Sequence, residues 1–428
     1  MAAPRLFNAP YRLSPNSLLK RQSQFTARRS IPTCARRRRD YSQSSTPPKP
    51  IPDFAFAFDI DGVLLRSHDP IPRAHEALSL LQQEKIPFIL LTNGGGKTEA
   101  ARVEELQERL KIPLDVSMFV QSHTPFADLD QYKDKTILVL GGEEDKCRLV
   151  AENYGFKSVV VPGDIFVAHP EIWPFSSQFL PFYKEFARPL PKPIHPTDPS
   201  QSLKIDAIFV YNDPRDWGLD ATLILDLLLS REGIMGTFSS KNGDTTLPNC
   251  GYQSDGQPKL YFSNPDLWWA AKYRLPRLGQ GGFRESLEGL WAATTQEADR
   301  TNHGQKIPLE KQVIGKPYQY TYAFAEGRLV KHREAMVRGE SFPPIVKAGE
   351  TPPAPAPLKR VYMVGDNPES DIRGGNNYKS PLETEWHSIL VETGVHTKGS
   401  EPRWKPKQIV GDVYDAVQWA LKSSGWKM

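Results

Sequence analysis

The chain has 428 residues, of which 39% are hydrophobic, 24% charged and 10% aromatic. This composition indicates a folded protein long enough for two domains, and it excludes a disordered chain, a collagen and a small disulfide-rich scaffold. The three cysteines, Cys34, Cys147 and Cys250, lie far apart, so we expect neither a disulfide framework nor a cysteine-rich zinc site. No apolar run approaches the roughly 18–20 residues that span a bilayer, and we expect no transmembrane segment.

The net charge of +4 is unevenly distributed along the chain. Residues 1–39 contain ten basic residues and no acidic one, whereas the rest has 44 basic against 50 acidic residues. A leader rich in Arg and Ser is typical of a mitochondrial transit peptide, so we interpret residues 1–51 as transit peptide and linker and expect a location in the mitochondrial matrix. A basic tail that contacts nucleic acid is the alternative, but the acidic body argues against nucleic acid as a partner.

Apolar runs alternate with helical spacing along the body, as in a parallel α/β protein. Strands are predicted at 54–58, 87–92, 137–140, 205–210, 361–364 and 388–391, the last being the final strand of the sheet. Helices are predicted from residue 74 and over 97–110, 221–229 and 283–291.

These elements predict an α/β fold with a Rossmann-like parallel-sheet core and an inserted α/β cap domain. The predicted core has two segments, 52–135 and 275–428, and the cap spans 136–274. Two Pro-rich stretches, 170–199 in the cap and 339–357 in the core, are predicted to be surface loops.

Polar residues follow the predicted strands at their carboxyl ends, where ligands bind in open α/β sheets. Asp59 and Asp61 follow the first strand, two residues apart, so both carboxylates can face one site. Gly62 then allows a sharp turn. Thr92 and Asn93 end the second strand and offer a hydroxyl and an amide to an oxyanion.

Two later motifs complete the set. Lys316, between Gly315 and a proline, supplies a fixed positive charge, while Asp366 and Asn367 follow a late strand, with Asp371 five residues after Asp366. Carboxylates from the first and last motifs would form an all-oxygen site that suits Mg²⁺. A divalent ion and a lysine would let one aspartate attack a phosphate dianion, while a second carboxyl group moves the proton.

This order of motifs resembles the haloacid dehalogenase-like superfamily of phosphohydrolases, and subfamily IIA in particular. The matching runs are Asp59-Ile-Asp-Gly-Val63, Leu91-Thr-Asn93, Phe262-Ser-Asn-Pro-Asp266, Gly315-Lys-Pro317 and Gly365-Asp-Asn367 with Asp371. Leu91-Thr-Asn-Gly-Gly-Gly96 and the run from Gly279 to Glu288 resemble a mitochondrial group of that subfamily. The resemblance covers about residues 53–421, without the leader and the Pro-rich segments.

The resemblance implies a role for each matching position. Asp59 matches the nucleophile and a metal ligand, and Asp61 matches the acid/base, whose backbone carbonyl also binds the metal. Thr92 and Asn93 match phosphate-binding residues. The remaining matches are Lys316 as the lysine at the nucleophile and phosphate, Asp366 as the acidic metal ligand, and Asn367 and Asp371 as supporting residues. The glycines at 94–96 replace bulkier residues, so contacts to substrate there do not carry over.

The sequence therefore predicts a Mg²⁺-dependent phosphatase that acts on a small phosphorylated metabolite. The resemblance associates the group with glycerolipid metabolism, which suggests a glycerol-phosphate type of substrate. The alternatives are a non-catalytic mitochondrial binding or assembly protein and a phosphotransferase. The sequence does not decide whether the chain forms a homo-oligomer. Asn264-Pro-Asp266 is interpreted as a turn or helix cap, and Trp217, Trp268 and Trp269 as cap core.

Overall fold

The structure is a computed structural model that describes residues 50–195, 197–269, 275, 277–296, 306–343, 358–396 and 398–427. The chain separates into residues 1–48 and residues 49–428, and the fold below is that of the second unit. The predicted transit peptide and most of the Pro-rich segment 339–357 lie outside the described residues.

Strands and helices alternate along most of the described chain. The strands are β1 (Phe54–Phe58), β2 (Leu65–Arg66), β3 (Asp69–Pro70), β4 (Phe88–Leu91), β5 (Phe119–Val120), β6 (Thr136–Leu140), β7 (Ser158–Val160), β8 (Ala207–Val210), β9 (Lys259–Phe262), β10 (Trp268–Trp269), β11 (Arg277–Leu278), β12 (Gln312–Val313), β13 (Arg360–Gly365), β14 (Glu385–Val391) and β15 (Gln408–Val410). The α-helices are α1 (Ala74–Gln83), α2 (Glu99–Leu110), α3 (Lys146–Asn153), α4 (Pro162–Ala168), α5 (Leu180–Lys184), α6 (Trp217–Leu229), α7 (Gln280–Thr294), α8 (Gln319–Arg338), α9 (Arg373–Asn377) and α10 (Val413–Ser423).

The core sheet is six-stranded and parallel, in the order β15-β14-β13-β1-β4-β5. Side chains alternate between the two faces of a strand, so β1 buries its phenylalanines on one face and its alanines on the other. The phenylalanine face packs on α1, α2 and α10, and the alanine face packs on α8. This two-sided burial explains why the strands are continuous apolar runs. β14 is not the final strand, because the short β15 pairs with it at the edge.

A second parallel sheet, in the order β12-β9-β8-β6-β7, lies in the chain between β5 and β13. We call this sheet and its helices the cap. It confirms the predicted α/β fold with an inserted α/β layer. Its two faces are buried in separate apolar clusters, which contain side chains from α4, α6 and α7 on one face and from α3 on the other.

The cap sheet extends past residue 274, where the sequence predicts that the cap ends. β12 pairs with β9 in parallel, with Gln312 opposite Tyr261. The helix α7 also buries Phe283, Leu287 and Trp291 in the same apolar cluster as the cap strands. The boundary therefore moves to about residue 313, because these apolar side chains need the cap for burial.

Two aromatic features differ from expectation. Trp217 packs against the cap cluster, but Trp268 and Trp269 are 56% and 52% exposed and lie on the β10–β11 hairpin. The Pro-rich segment 170–199 contains short helical turns and α5, and its Trp173 packs against the cap cluster instead of lying free on the surface. Among the described residues, no helix is both long and apolar enough to cross a membrane.

Trp291 tests the assignment of α7 to the cap core. It is 1% exposed, and its indole Nε1–H donates to the carbonyl of Ile307 at 3.1 Å. We expect Trp291→Ala to lower the free energy of unfolding in urea by about 3–5 kcal/mol, because it leaves a cavity. The adjacent Leu290, which is 46% exposed, provides the control, and Leu290→Ala should cost about 0.5 kcal/mol or less. Equal losses would contradict the assignment.

Candidate active site

Two neighbouring strands of the core sheet deliver acidic residues to one edge. β1 and β13 pair in parallel with Phe58 opposite Val364, and the Asp59 N–H donates to the carbonyl of Val364 at 2.9 Å. Asp59 and Asp366 therefore leave the sheet at the same level, and both are buried, at 8% and 3% exposure. This is the carboxyl edge, at which the sequence places the site.

Lys316 joins these acids from a distant part of the chain. Its Nζ lies 2.7 Å from Oδ1 of Asp59 and 2.7 Å from Oδ1 of Asp371, and the residue is 1% exposed. The three side chains form an ion triad, in which one ammonium group is shared by two buried carboxylates. The structure thus brings together the first, third and fourth sequence motifs.

Asn93 fixes the backbone of Lys316. Its Oδ1 accepts the Lys316 N–H at 2.7 Å, and its Nδ2 donates to the Lys316 carbonyl at 2.9 Å. Nδ2 also donates to Oδ2 of Asp266 at 3.2 Å, so both amide N–H bonds are used. The side chain expected to bind phosphate is therefore engaged within the protein, and we assign it to positioning Lys316.

Thr92 follows β4, the strand beside β1, and is 6% exposed. Its Oγ1 accepts the N–H of Gly94 at 3.0 Å. Among the described residues no acceptor for the Thr92 hydroxyl proton is found, so that proton could be donated to an oxyanion. Phosphate binding by Thr92 stays a prediction.

Within the triad, the charge of each partner counteracts the effect of burial on the pKa of the other. Burial raises the pKa of Asp59, and the ammonium of Lys316 opposes this shift. Burial alone would lower the pKa of Lys316, but the carboxylates of Asp371 and Asp59 raise it, so the lysine stays charged. The pKa of Asp371 is raised by burial, against the effect of Lys316, to about 6.

The charges at the site do not balance when all three acids are ionised. Burial, together with the carboxylates of Asp59 and Asp371, raises the pKa of Asp366 well above its ordinary value. One oxygen from each of these three acids lies within 4.8 Å of the others. Three carboxylates around one ammonium leave an excess of negative charge, and hard oxygen donors are what Mg²⁺ prefers. The residues present therefore fit a magnesium ion.

Glycines allow the backbone to approach Asp366. A Cβ on Gly394 would lie 1.8 Å from Oδ2 of Asp366, and one on Gly62, whose φ is +87°, would lie 2.4 Å from it. The N–H of Val395 donates to the same oxygen at 2.7 Å. The carboxylate is thus held from two loops, and a side chain at either glycine would displace it.

Asp61 lies apart from the buried acids. It is exposed, and its side chain is not among the three clustered carboxylates. The surrounding protein still raises its pKa by desolvation, while Arg102, Lys316 and Arg109 lower it. An acid of raised pKa at the mouth of the site is suited to exchange protons with a substrate.

Asn367 and Asp371 belong to one turn and are joined by a hydrogen bond. Oδ1 of Asn367 accepts the N–H of Glu369 at 2.9 Å and so caps the turn Pro368–Ile372. The Asn367 N–H donates to Oδ2 of Asp371 at 3.1 Å, which leaves Oδ1 directed at Lys316. Asp371 therefore positions the lysine, and the Asn367 side chain positions the turn.

The sequence underestimates the importance of Asn264 and Asp266. Asn264 Nδ2 donates to the carbonyl of Asn93 at 3.1 Å, and its N–H donates to Oε1 of Gln280 at 2.8 Å. Burial raises the pKa of Asp266 to about 6, although its bond from Asn93 and the charge of Lys316 lower it. These residues join the cap to the core beside the site, a role that an Asn-Pro-Asp turn does not reveal.

A buried network beneath the glycine loop is also absent from the sequence prediction. The N–H of Gly96 donates to Nε2 of His123 at 3.2 Å, so the other ring nitrogen, Nδ1, carries the proton toward the hydroxyl of Tyr154 at 2.9 Å. That hydroxyl donates to Glu99, which also accepts a bond from Thr124 at 2.7 Å. This chain of bonds holds the glycine loop against the cap.

Comparisons with known proteins agree with this geometry. A model described as haloacid dehalogenase-like hydrolase matches residues 56–157, and a second, described as HAD-hydrolase-like, matches residues 313–416. The chain is 39% identical over 372 residues to a Saccharomyces cerevisiae protein named mitochondrial hydrolase, which covers 86% of this chain and 95% of that protein.

A second relative is longer than this chain. It is a Schizosaccharomyces pombe protein named as a fusion of cardiolipin synthase (CMP-forming) and mitochondrial hydrolase, and it is 38% identical over 386 residues. The match covers 90% of this chain but only 56% of that protein. Among solved structures, a p-nitrophenyl phosphatase from Archaeoglobus fulgidus shares the fold, with a TM-score of 0.51, 15% identity, and coverage of 86% of this chain and 100% of that one.

The matched segments contain the residues that meet at the carboxyl edge of the core sheet. The first model spans Asp59, Asp61 and Thr92, and the second spans Lys316, Asp366 and Asp371. The Saccharomyces cerevisiae relative matches this chain over 95% of its own length. Together with the two family models, this match shows that the chain belongs to the haloacid dehalogenase-like hydrolases.

Proposed function

We propose that the protein is a Mg²⁺-dependent phosphatase that hydrolyses a small phosphomonoester through an aspartyl-phosphate on Asp59. The observation that carries the proposal is the ion triad, in which Lys316 lies 2.7 Å from Asp59 beside the buried Asp366. A carboxylate that must attack a phosphate dianion needs neighbouring positive charge, and burial strengthens that interaction.

The first half of the reaction forms the aspartyl-phosphate. A carboxylate oxygen of Asp59 attacks phosphorus as the bond from phosphorus to the leaving alkoxide breaks. Thr92 donates its hydroxyl to a phosphoryl oxygen, and Lys316 offsets the charge that develops there. Asp61 gives its proton to the leaving alkoxide, which departs as the alcohol.

The second half regenerates the enzyme. Asp61, now ionised, accepts a proton from a water molecule that attacks phosphorus, and inorganic phosphate leaves while the Asp59 carboxylate is restored. The raised pKa of Asp61 supports this double use, because it favours the protonated form at the start of the cycle.

The metal would be held by the side chains of Asp59 and Asp366 and by the backbone carbonyl of Asp61. A bound Mg²⁺ supplies positive charge against the phosphate and the carboxylates. The raised pKa of Asp366 supports this assignment, because a buried carboxylate near two others is stabilised in its charged form by a cation.

The proposed substrate is small, because the cavity that contains Asp61 and Thr92 has a volume of about 150 Å³, below the roughly 300–1,000 Å³ of common ligand pockets. The fusion of the Schizosaccharomyces pombe relative to a cardiolipin synthase supports a link with glycerophospholipid metabolism. A location in the mitochondrial matrix is supported by the relatives named mitochondrial hydrolase and by the basic leader, in which residues 1–39 contain no acidic residue.

Asp59→Asn tests the proposed nucleophile. We expect phosphate release from a panel of small phosphomonoesters with Mg²⁺ to fall about 10⁴-fold or more, since the amide cannot form the intermediate. Removal of divalent metal from the wild type with EDTA should abolish release, and Mg²⁺ should restore it. Asp53→Asn, on the segment before β1 where Asp53 pairs with Lys359, is the matched control and should keep full activity. Full activity of Asp59→Asn would refute the nucleophile assignment.

The leader prediction is tested with a reporter. Residues 1–45 fused to a fluorescent protein should colocalise with a mitochondrial matrix marker, because a segment with ten basic residues and one acidic residue, Asp40, is typical of a mitochondrial transit peptide. A matched leader with its ten basic residues replaced by glutamine should leave the reporter diffuse. Equal distribution of the two reporters would contradict targeting by this segment.

A further inference from the structure

Two cationic side chains, Lys97 and Arg102, lie beside the proposed acid/base residue Asp61, and we call them the cationic wall. The small cavity at the mouth of the site is lined by residues from two strand ends and from the chain that leads into α2: Asp61, Thr92, Gly94, Gly95, Lys97, Arg102 and Gln121. Asp61 and Thr92 serve the proposed reaction at phosphorus. Lys97 and Arg102 have no part in that chemistry, so their presence in the cavity needs another explanation.

The two cations share one carboxylate. Nη1 of Arg102 donates to Oε2 of Glu105 at 2.9 Å, and Lys97 pairs with Oε1 of the same residue. Two cations and one carboxylate give this group of three side chains a net charge of +1. The side chain of Arg102 is 22% exposed and that of Lys97 is 53% exposed, so both can be reached by a ligand.

Arg109 adds to this positive charge. It lies seven residues after Arg102, two helical turns along the same face of α2. Its Nη1 is buried and has no hydrogen-bond partner among the described residues. The charges of Arg102 and Arg109 both lower the pKa of Asp61, so the face of α2 toward the cavity is electropositive.

The position of these cations points to the leaving group of the substrate. Arg102 and Lys97 line the same small cavity as Asp61 and Thr92, so a group attached to the leaving alcohol would lie within their reach. An anionic group there would pair with Arg102, whose side chain has only Glu105 as an ion-pair partner among the described residues. A planar guanidinium with free N–H donors is also well suited to bind a carboxylate or phosphate.

We propose that the leaving alcohol of the substrate carries a second negative charge, a carboxylate or a phosphate, that binds Arg102 beside Lys97. This inference rests on the proposed phosphatase function and specifies its substrate class. The small cavity places the second anion within a few bonds of the ester oxygen.

The experiment compares three esters that share a glycerol skeleton. Glycerol 3-phosphate has a neutral far end, 3-phosphoglycerate has a carboxylate there, and glycerol 1,3-bisphosphate has a phosphate. With the full chain and Mg²⁺, kcat/KM for at least one doubly anionic ester should exceed that for glycerol 3-phosphate by about 10- to 100-fold, the range for a hydrogen bond to a charged group. The doubly anionic ester with the higher kcat/KM shows whether the preferred second anion is a carboxylate or a phosphate.

Variants of the cationic wall assign the preference to a residue. Arg102→Met should remove most of the preference, with a much larger loss for the doubly anionic esters than for glycerol 3-phosphate. Glu105→Gln removes the competing carboxylate and should increase the preference, so the test does not depend on one variant. Arg188→Met is the matched control, because Arg188 pairs with Glu152 on the cap surface, and it should leave all three values unchanged.

Two results would overturn the inference. The first is a wild type that hydrolyses p-nitrophenyl phosphate but handles glycerol 3-phosphate as well as the doubly anionic esters. The second is an Arg102→Met variant that lowers kcat/KM equally for all three, since that indicates a structural role. No turnover of any ester, including p-nitrophenyl phosphate, would instead refute the phosphatase function on which the inference rests.

Discussion

The architecture of the site depends on one buried ammonium group. Lys316 is almost fully buried, and burial of an isolated charge is costly enough that it requires partners. Asp59 and Asp371 supply them from the first strand of the core sheet and from a turn more than 300 residues later. Removal of Lys316 would leave two buried carboxylates without their shared cation. Because Asp59 comes from one core segment and Lys316 and Asp371 from the other, the triad requires both segments to be folded together.

The same lysine depends on the cap. Asn93 holds the Lys316 backbone from both sides, and Asn264 in turn holds the carbonyl of Asn93. Asn264 lies two residues after the cap strand β9, and the side chain of Gln280 at the start of α7 accepts the Asn264 N–H. The cap is therefore connected to the lysine through hydrogen bonds between side chains and backbone groups. The interface between cap and core therefore helps to position the backbone of Lys316.

Much of this arrangement could be predicted from strong local patterns. Continuous apolar strands followed by Asp59, Thr92 and Asp366 identify the carboxyl edge of a parallel sheet, because strand ends in such sheets meet at one edge. Elements and residues without a strong local pattern could not be predicted correctly. β12 has only two residues and shows no periodicity, so the sequence predicts a cap boundary that is too early. Asp266 resembles any turn aspartate, and His123 stands alone in the sequence, so their roles depend on long-range packing that no local pattern encodes.

The proposed function depends on Asp59, paired with Lys316, as the group that attacks phosphorus and forms a phosphoaspartate. The most direct measurement uses the Asp61→Asn variant with Mg²⁺ and p-nitrophenyl phosphate. The p-nitrophenolate leaving group needs little proton donation, so the phosphoaspartate can still form. Loss of the base slows hydrolysis of this intermediate, which therefore accumulates. The reaction is quenched and reduced with borohydride, which converts phosphoaspartate to homoserine. Peptide mass analysis should find homoserine at position 59, in proportion to the p-nitrophenol released. Release of p-nitrophenol with Asp59 unmodified would contradict the account.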